Sequence, residues 1–333
     1  IAQEVNQDTI ESQRIPVNMN KTILTGASGF LGSHIIDIMA GKGIFVHALL
    51  RKSSSLKNLP DECGISRVDF MNPHSMAEDI ANADVIIHAA GATSAASQEE
   101  FDRANALVTK NLLKAREKYA PDALFIFISS QAASGPAGCG PVTDYGRSKL
   151  LGEFAVRDTG NWVIVRPPAI FGSRDPASAP VMKLALRGIF VSPWINNGGF
   201  CLVYVRDLAR LITDLPDYPD AAGKTLEPSY GRLFSWKDFH EILEKAAGRR
   251  ILHLRIPPVL VHATGFMSEA LASLTGRTPF FCRDKCRELL AREWSVEEGL
   301  THRLTGWEPA IPVEEAMKRT FQWIKAQNNC IKE

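Results

Sequence analysis

Two groups of residues in this 333-residue chain have the types and spacing for chemistry on a small molecule. The first is Tyr145-Gly146-Arg147-Ser148-Lys149. Residues four apart share one face of a helix, so a phenol and an ammonium stand together. A free phenol titrates near about pH 10, and a neighbouring cation favours its ionised form. Tyr145 is the expected general acid/base and Lys149 the cation that tunes it. Ser129 and Ser130 follow the apolar run Leu124–Ile128, which reads as a strand. Either hydroxyl can hydrogen-bond a substrate oxygen. Adjacent strand residues point to opposite faces, so only one of the two can serve.

The second group is Thr25-Gly26-Ala27-Ser28-Gly29-Phe30-Leu31-Gly32, between an apolar run and a helical pattern. Gly26, Gly29 and Gly32 let the backbone turn sharply and approach a pyrophosphate. The N–H groups and partial positive charge of the helix start would receive it. Gly26, Ser28, Gly29, Phe30, Leu31 and Gly32 are therefore candidate dinucleotide-binding residues. A carboxylate after the second strand commonly holds the ribose hydroxyls of NAD. Here that place reads Arg51-Lys52-Ser53-Ser54-Ser55, with no acid. Arg51 or Lys52 can instead pair with a 2′-phosphate. NADP is the expected cofactor and NAD the alternative.

These groups need a scaffold. The stretch 29–40 carries Phe30, Leu31, Ile35, Ile38 and Met39 at helical spacing, and Gly41 and Gly43 end it. Stretches 44–50 and 84–89, Leu124–Ile128 and Trp162–Val165 read as strands, and 107–119 as a helix. Such alternation predicts the α/β class, a Rossmann-type doubly wound parallel sheet. Beyond Arg166 the rhythm breaks at Pro167, Pro168, Pro176, Pro180, Pro257 and Pro258, with helical patterns at Trp236–Ala247 and 313–326. A smaller, mainly helical substrate-binding region over the sheet's C-terminal edge is expected there. By number, 1–18 form a loose or disordered arm. Residues 19–170 form the dinucleotide-binding domain, with 200–225 returning to it, and 171–199 and 226–333 the substrate-binding region.

Composition is that of an ordinary globular protein, 45% hydrophobic and 23% charged. The net charge of +1 gives no global pull toward nucleic acid or an anionic membrane. No apolar run is long enough to span a bilayer, and the polar first residues lack a signal-peptide core. Six cysteines are scattered, and Cys282 and Cys286 lack the His or Cys pair that would complete a zinc set. Free thiols in a reducing compartment, hence a cytoplasmic location and no metal, are expected. The partner is a small-molecule substrate; a homodimer is left open.

The spacing Gly26-x-x-Gly29-x-x-Gly32 resembles the short-chain dehydrogenase/reductase superfamily, in its extended, epimerase/dehydratase-like branch. The resemblance runs from about Lys21 to Trp323. It includes His88-Ala89-Ala90-Gly91, Arg166-Pro167-Pro168-Ala169-Ile170-Phe171-Gly172, Tyr204-Val205-Arg206-Asp207-Leu208-Ala209 and Thr305-Gly306-Trp307-Glu308-Pro309. It implies that Ala89, Ala90 and Gly91 line the cofactor, that Asp69 and Phe70 meet the adenine, and that Pro168 lies beside the nicotinamide. Asn105 resembles the family's Asn on the long central helix, and Lys149 would also hold the nicotinamide ribose. The family's active Ser lies five residues before a Gly; counting back from Gly135 selects Ser130, with Ser129 the alternative. Ser134 stands where the family has Tyr.

The implied reaction is carbonyl–alcohol interconversion by hydride transfer. Family members that epimerise or dehydrate nucleotide sugars, with tightly bound NAD, usually carry a basic residue before the returning strand. Here Asn196-Asn197-Gly198-Gly199-Phe200-Cys201-Leu202-Val203-Tyr204 has none before Arg206, and Phe190, Val191, Trp194, Phe200 and Leu202 make the neighbourhood apolar. An apolar or amphipathic substrate is therefore expected, with the nucleotide-sugar epimerase or dehydratase as the alternative. A third class, a non-catalytic dinucleotide-binding regulator, typically lacks the Tyr or the Lys; both are present.

Overall fold

A computed structural model describes residues 21–195, 198–275, 282–297 and 299–330. The arm expected over 1–18 lies outside them, as do Asn196 and Asn197. The N-terminal half builds β1 (Thr22–Thr25), α1 (Phe30–Gly41), β2 (Val46–Leu50), β3 (Gly64–Arg67), β4 (Val85–His88), α2 (Val108–Tyr119), β5 (Leu124–Ile128), α3 (Asp144–Arg157) and β6 (Trp162–Val165). The second half adds β7 (Ala169–Phe171), α4 (Ala179–Leu186), β8 (Ile189–Pro193), β9 (Gly199–Phe200), β10 (Leu202–Tyr204), α5 (Val205–Asp214) and β11 (Lys224–Leu226). Then come α6 (Trp236–Ala247), β12 (Leu252–Ile256), α7 (Pro258–Thr275), α8 (Arg283–Leu290), β13 (Glu293–Trp294) and α9 (Val313–Cys330).

Seven strands form one parallel sheet in the order β11-β6-β5-β4-β1-β2-β3. Every residue of β1 and β4 is buried, as continuous apolar strands covered on both faces must be. Ile23 and Leu24 are neighbours on β1 and enter opposite cores: one is shared with α2, the other with α1 and α5. The Rossmann-type, doubly wound α/β fold is thus present. Two of its strands were not legible. β3 alternates half-buried and exposed residues at the sheet edge, and β11 is three residues long.

The second half holds more strand than expected. Three two-stranded parallel ladders, β7–β10, β8–β12 and β9–β13, run among its helices. Strands of two to five residues show no readable period. Pro258 also misled as a break. It is the first residue of α7, where its missing N–H costs nothing and its fixed φ suits the helix.

Candidate active site

The sheet's strand order turns back between β1 and β4, the place where such folds open a ligand crevice. The glycine loop lies there. Gly26 has φ +74°, and a Cβ on it would stand 2.6 Å from the Ala89 backbone. A Cβ on Gly32 would stand 2.1 Å from the Gly26 carbonyl oxygen. These two glycines let the loop, α1 and the end of β4 touch. Gly29 is exposed, and a Cβ there meets only the Gly26 oxygen, at 3.1 Å. No side chain caps α1 and no acid sits in its first turn, so the N–H groups and dipole of its start stay available to an anion. Ser28 and Phe30 flank that start half-buried, while Leu31 belongs to the core.

Residues 89–91 are held beside the loop by a clamp that the sequence did not announce. His88 is fully buried, with Nδ1 2.7 Å from Thr25 Oγ1 and Nε2 2.9 Å from Thr109 Oγ1. Burial pushes its pKa down to about 3, so the ring is neutral. Thr25 Oγ1 also accepts from the Ala90 N–H at 3.2 Å. Asn105 lies on a π-helical turn ahead of α2 and is 1% exposed. Its amide is spent on both backbone groups of Ala92 (2.8 and 3.0 Å) and on Ser148 Oγ (2.8 Å). It shapes the path of 91–92 and ties that path to α3.

At the far end of the crevice Arg51 and Lys52 are exposed on the turn after β2. Arg67, a residue not singled out from sequence, latches this turn. Its guanidinium donates to the carbonyl oxygens of Arg51 (2.9 Å), Lys52 (2.6 Å) and Ser54 (3.3 Å). Asp69 is exposed just past β3, whereas Phe70 is buried in the core. Pro168 is buried after β6.

Ser130, Tyr145 and Lys149 are brought together at the sheet's C-terminal edge. The pleat separates the serines. Ser129 turns away and donates to Glu153 Oε1 at 2.6 Å, while Ser130 stands beside the Tyr145 phenol and caps the short turn at Gln131–Ala133. Gly146 allows this approach: a Cβ on it would stand 2.3 Å from the Ala132 carbonyl oxygen. Two caps fix the start of α3. Thr143 Oγ1 accepts from the Gly146 N–H (3.0 Å), and Asp284, on α8, accepts from the Asp144 N–H (2.7 Å).

Lys149 is 4% exposed; its Nζ donates to the Ile128 carbonyl at 2.7 Å and lies 4.4 Å from the centre of the Phe127 ring. A Cβ on Gly91 would stand 3.7 Å from that Nζ, so the ammonium marks where crevice and catalytic edge meet. Burial lowers the Lys149 pKa to about 8, with Glu153 opposing.

The phenol departs from expectation. A cation beside it was expected to lower its pKa. Instead burial pushes Tyr145 up to about 12, the Ser130 hydrogen bond pulls back, and Glu288 pushes further. Desolvation of the phenolate dominates, and spacing on a helix says nothing of it. Beneath the trio lies a buried network that sequence reasoning missed. Glu153, with a fully buried side chain, accepts from Arg166 (2.6 and 2.8 Å), Arg157 (3.0 Å) and Ser129. A Glu one turn after the lysine, with an Arg closing β6, is its only local trace.

The apolar stretch read as substrate neighbourhood divides. Phe190 and Leu202 are core, and Phe190 packs among Phe239, His240 and His253. Val191 and Trp194 face outward, exposed.

Comparison with known proteins agrees with this fold. Ceramide reductase of Caulobacter vibrioides is 28% identical over 308 residues, covering 86% of this chain and 95% of that protein. The 4-hydroxy-2-methyl-3-oxo-4-farnesyl-3,4-dihydroquinoline-1-oxide ketoreductase of Stigmatella aurantiaca is 30% identical over 199 residues, covering 54% and 59%. The crystal structure of UDP-glucose 4-epimerase from Thermotoga maritima shares the fold, with a TM-score of 0.71 at 19% identity over 92% of this chain and 99% of that one. The model of the NAD dependent epimerase/dehydratase family matches residues 22–224, and the chain belongs to that family.

Proposed function

We propose that the chain is an NADP-dependent reductase that converts a ketone on an apolar or amphipathic molecule into an alcohol. The observation that carries this reading is the pairing of Ser130 with a protonated Tyr145 at the sheet edge, beside the crevice at Gly91. The uncapped, acid-free start of α1 and the open side of Gly29 fit a pyrophosphate. Arg51 and Lys52, on a turn latched by Arg67 and lacking any acid, fit a 2′-phosphate. When bound, the reduced dinucleotide supplies the hydride.

The chain's own residues handle the oxygen and its proton. Ser130 Oγ accepts from the Ala132 N–H at 3.1 Å, and its O–H would turn from the phenol to the substrate oxygen. With its pKa near 12, Tyr145 keeps its proton at neutral pH and delivers it as negative charge develops on that oxygen. Lys149 reaches the ribose side of the crevice and stays largely an ammonium below about pH 8. Ser129 and Glu153 take no part in the transfer; they hold α3 against β5 and β6. The apolar substrate is supported by the two relatives, whose names specify a ceramide and a farnesyl compound. It is supported too by the stretch 196–204, where nucleotide-sugar enzymes of this family usually carry a basic residue: it has no Arg or Lys, and its Phe200 packs on Trp236.

The test is thermal stabilisation by NADPH and NADH at equal concentration, followed by NADPH oxidation with a panel of long-chain ketones. A ligand that binds only the native state raises its stability. NADPH should stabilise more, Arg51→Ala should erase the difference, and a long-chain ketone should be reduced. Stronger stabilisation by NADH, or by UDP-glucose with no ketone consumed, would overturn the reading.

A further inference from the structure

Helix α7 presents the wrong face to water for a soluble helix. Val259, Ala263 and Phe266 follow at i, i+4 and i+7, with Leu260 and Met267 beside them, so one arc is wholly apolar. That arc points outward: Val259 is 76% exposed, Phe266 63% and Met267 69%. The opposite side is already taken. Val261 is fully buried, its carbonyl accepts from Cys286 Sγ at 3.2 Å, and a Cβ on Gly265 would stand 2.4 Å from that sulfur. Among the described residues the apolar arc is therefore surplus to the fold.

The surface continues onto the ladder just ahead of α7. Leu254 is paired with Val191 across β12–β8, and both are exposed, as is Leu252. Trp194 follows β8, 56% exposed, with its backbone N–H donating to the Ile256 carbonyl at 2.7 Å. The chain segments that build this surface carry charge of one sign. Stretches 176–205 and 245–268 contain no Asp or Glu. They carry Lys183, Arg187, Arg249, Arg250 and Arg255, all exposed. Glu269, the next acid along α7, is turned to Arg283.

The geometry points to a membrane-docking face: α7 and the β8–β12 ladder lie on an anionic bilayer, apolar arc in the acyl boundary and arginines on the headgroups. An interfacial helix combines such an arc with flanking cations, and tryptophan prefers that depth. Among the described residues no helix is long and apolar enough to cross a membrane, so the face rests on the bilayer. The position suits the catalytic edge. α7 packs on α8, and α8 supplies Asp284 to the start of α3 and sets Glu288 toward Tyr145. One helix therefore separates the docking face from the phenol, and a membrane-dissolved substrate has a short path. The inference stands on the surface alone, whichever molecule is reduced.

The test is co-sedimentation of the full chain with vesicles of phosphatidylcholine alone and of phosphatidylcholine mixed with phosphatidylglycerol. The protein should bind the mixed vesicles, and more weakly at about 1 M salt, where the Debye length falls to about 3 Å. The double variant Phe266→Ser, Met267→Ser should bind at least about tenfold more weakly with unchanged melting and far-ultraviolet spectrum. Arg250→Glu with Arg255→Glu should remove the preference for the anionic lipid. No binding to either vesicle, or equal binding by the serine variant, overturns the inference. So does a face that proves to join two copies, with the serine variant shifting dimer to monomer and no vesicle binding. Because lipid binding is read without turnover, its failure leaves the reductase reading standing, and the reverse also holds.

Discussion

Replacing Lys149 by Met should stabilise the protein while destroying its activity. Lys149 is 4% exposed, and burial lowers its pKa from the ordinary 10.5 to about 8. Below about pH 8 the folded and unfolded chains both carry the charge, so the fold bears the whole cost of burying it. As pH rises from about 8 to 10.5 the unfolded chain keeps a proton that the native chain has released, and stability climbs. The lowering corresponds to about 3 kcal/mol. Methionine removes that cost, is flexible enough to fill the space, and sets a sulfur against the Phe127 ring. It forfeits the bond from Nζ to the Ile128 carbonyl, about 1 kcal/mol. The net expectation at pH 7 is a gain of about 2 kcal/mol. Urea unfolding of native and Lys149→Met protein across this pH range reads it directly. The advantage should be full at pH 7 and vanish toward the upper end of the window. A variant less stable at pH 7, or an advantage independent of pH, would show that the ammonium is not held at a cost. Turnover and cofactor affinity should fall together in the same variant, since the cation and its ribose contact leave at once.

Three further outcomes follow from the same geometry. Gly29→Val should abolish dinucleotide binding in a folded protein, because the branched side chain stands where the pyrophosphate must approach; unchanged affinity by fluorescence titration refutes the loop's role. Gly146→Ala places a methyl 2.3 Å from the Ala132 carbonyl oxygen, so it should cost about 1–3 kcal/mol in unfolding experiments and lower kcat by spreading Ser130 from Tyr145. Glu153→Ala leaves Arg166 without the carboxylate that contacts it at 2.6 Å. Loss of about 3–5 kcal/mol by chemical denaturation is expected, and a loss under about 1 kcal/mol would mean the network bears little weight.

How much was legible depends on whether chemistry or topology chose the residue. The glycine loop and the Tyr145–Lys149 pair are local: turn geometry and the helical repeat force those types at those spacings. The long apolar strands announced the sheet for the same reason. Arg67, Asp284 and the Glu153–Arg166 pair were not readable. Each finds its partner across the fold, 13 or more residues away for Arg67 and 140 for Asp284, and little that is local marks it. Ser129 and Ser130 differ only in the pleat, and coordinates were needed to see Ser129 turn to Glu153. The phenol's pKa went the other way because pair spacing speaks of the charge nearby and is silent on burial. A net charge of +1 hid the cationic rim of α7, because clustering is invisible in a sum.

The most direct test of the account is single-turnover reduction of a long-chain ketone by Tyr145→Phe loaded with NADPH. The ring still fills its place and only the proton donor is gone. The account predicts unchanged NADPH affinity and a rate lower by about a hundred- to ten-thousand-fold, the range that general acid catalysis supplies. Reduction by Tyr145→Phe at the native rate would contradict it.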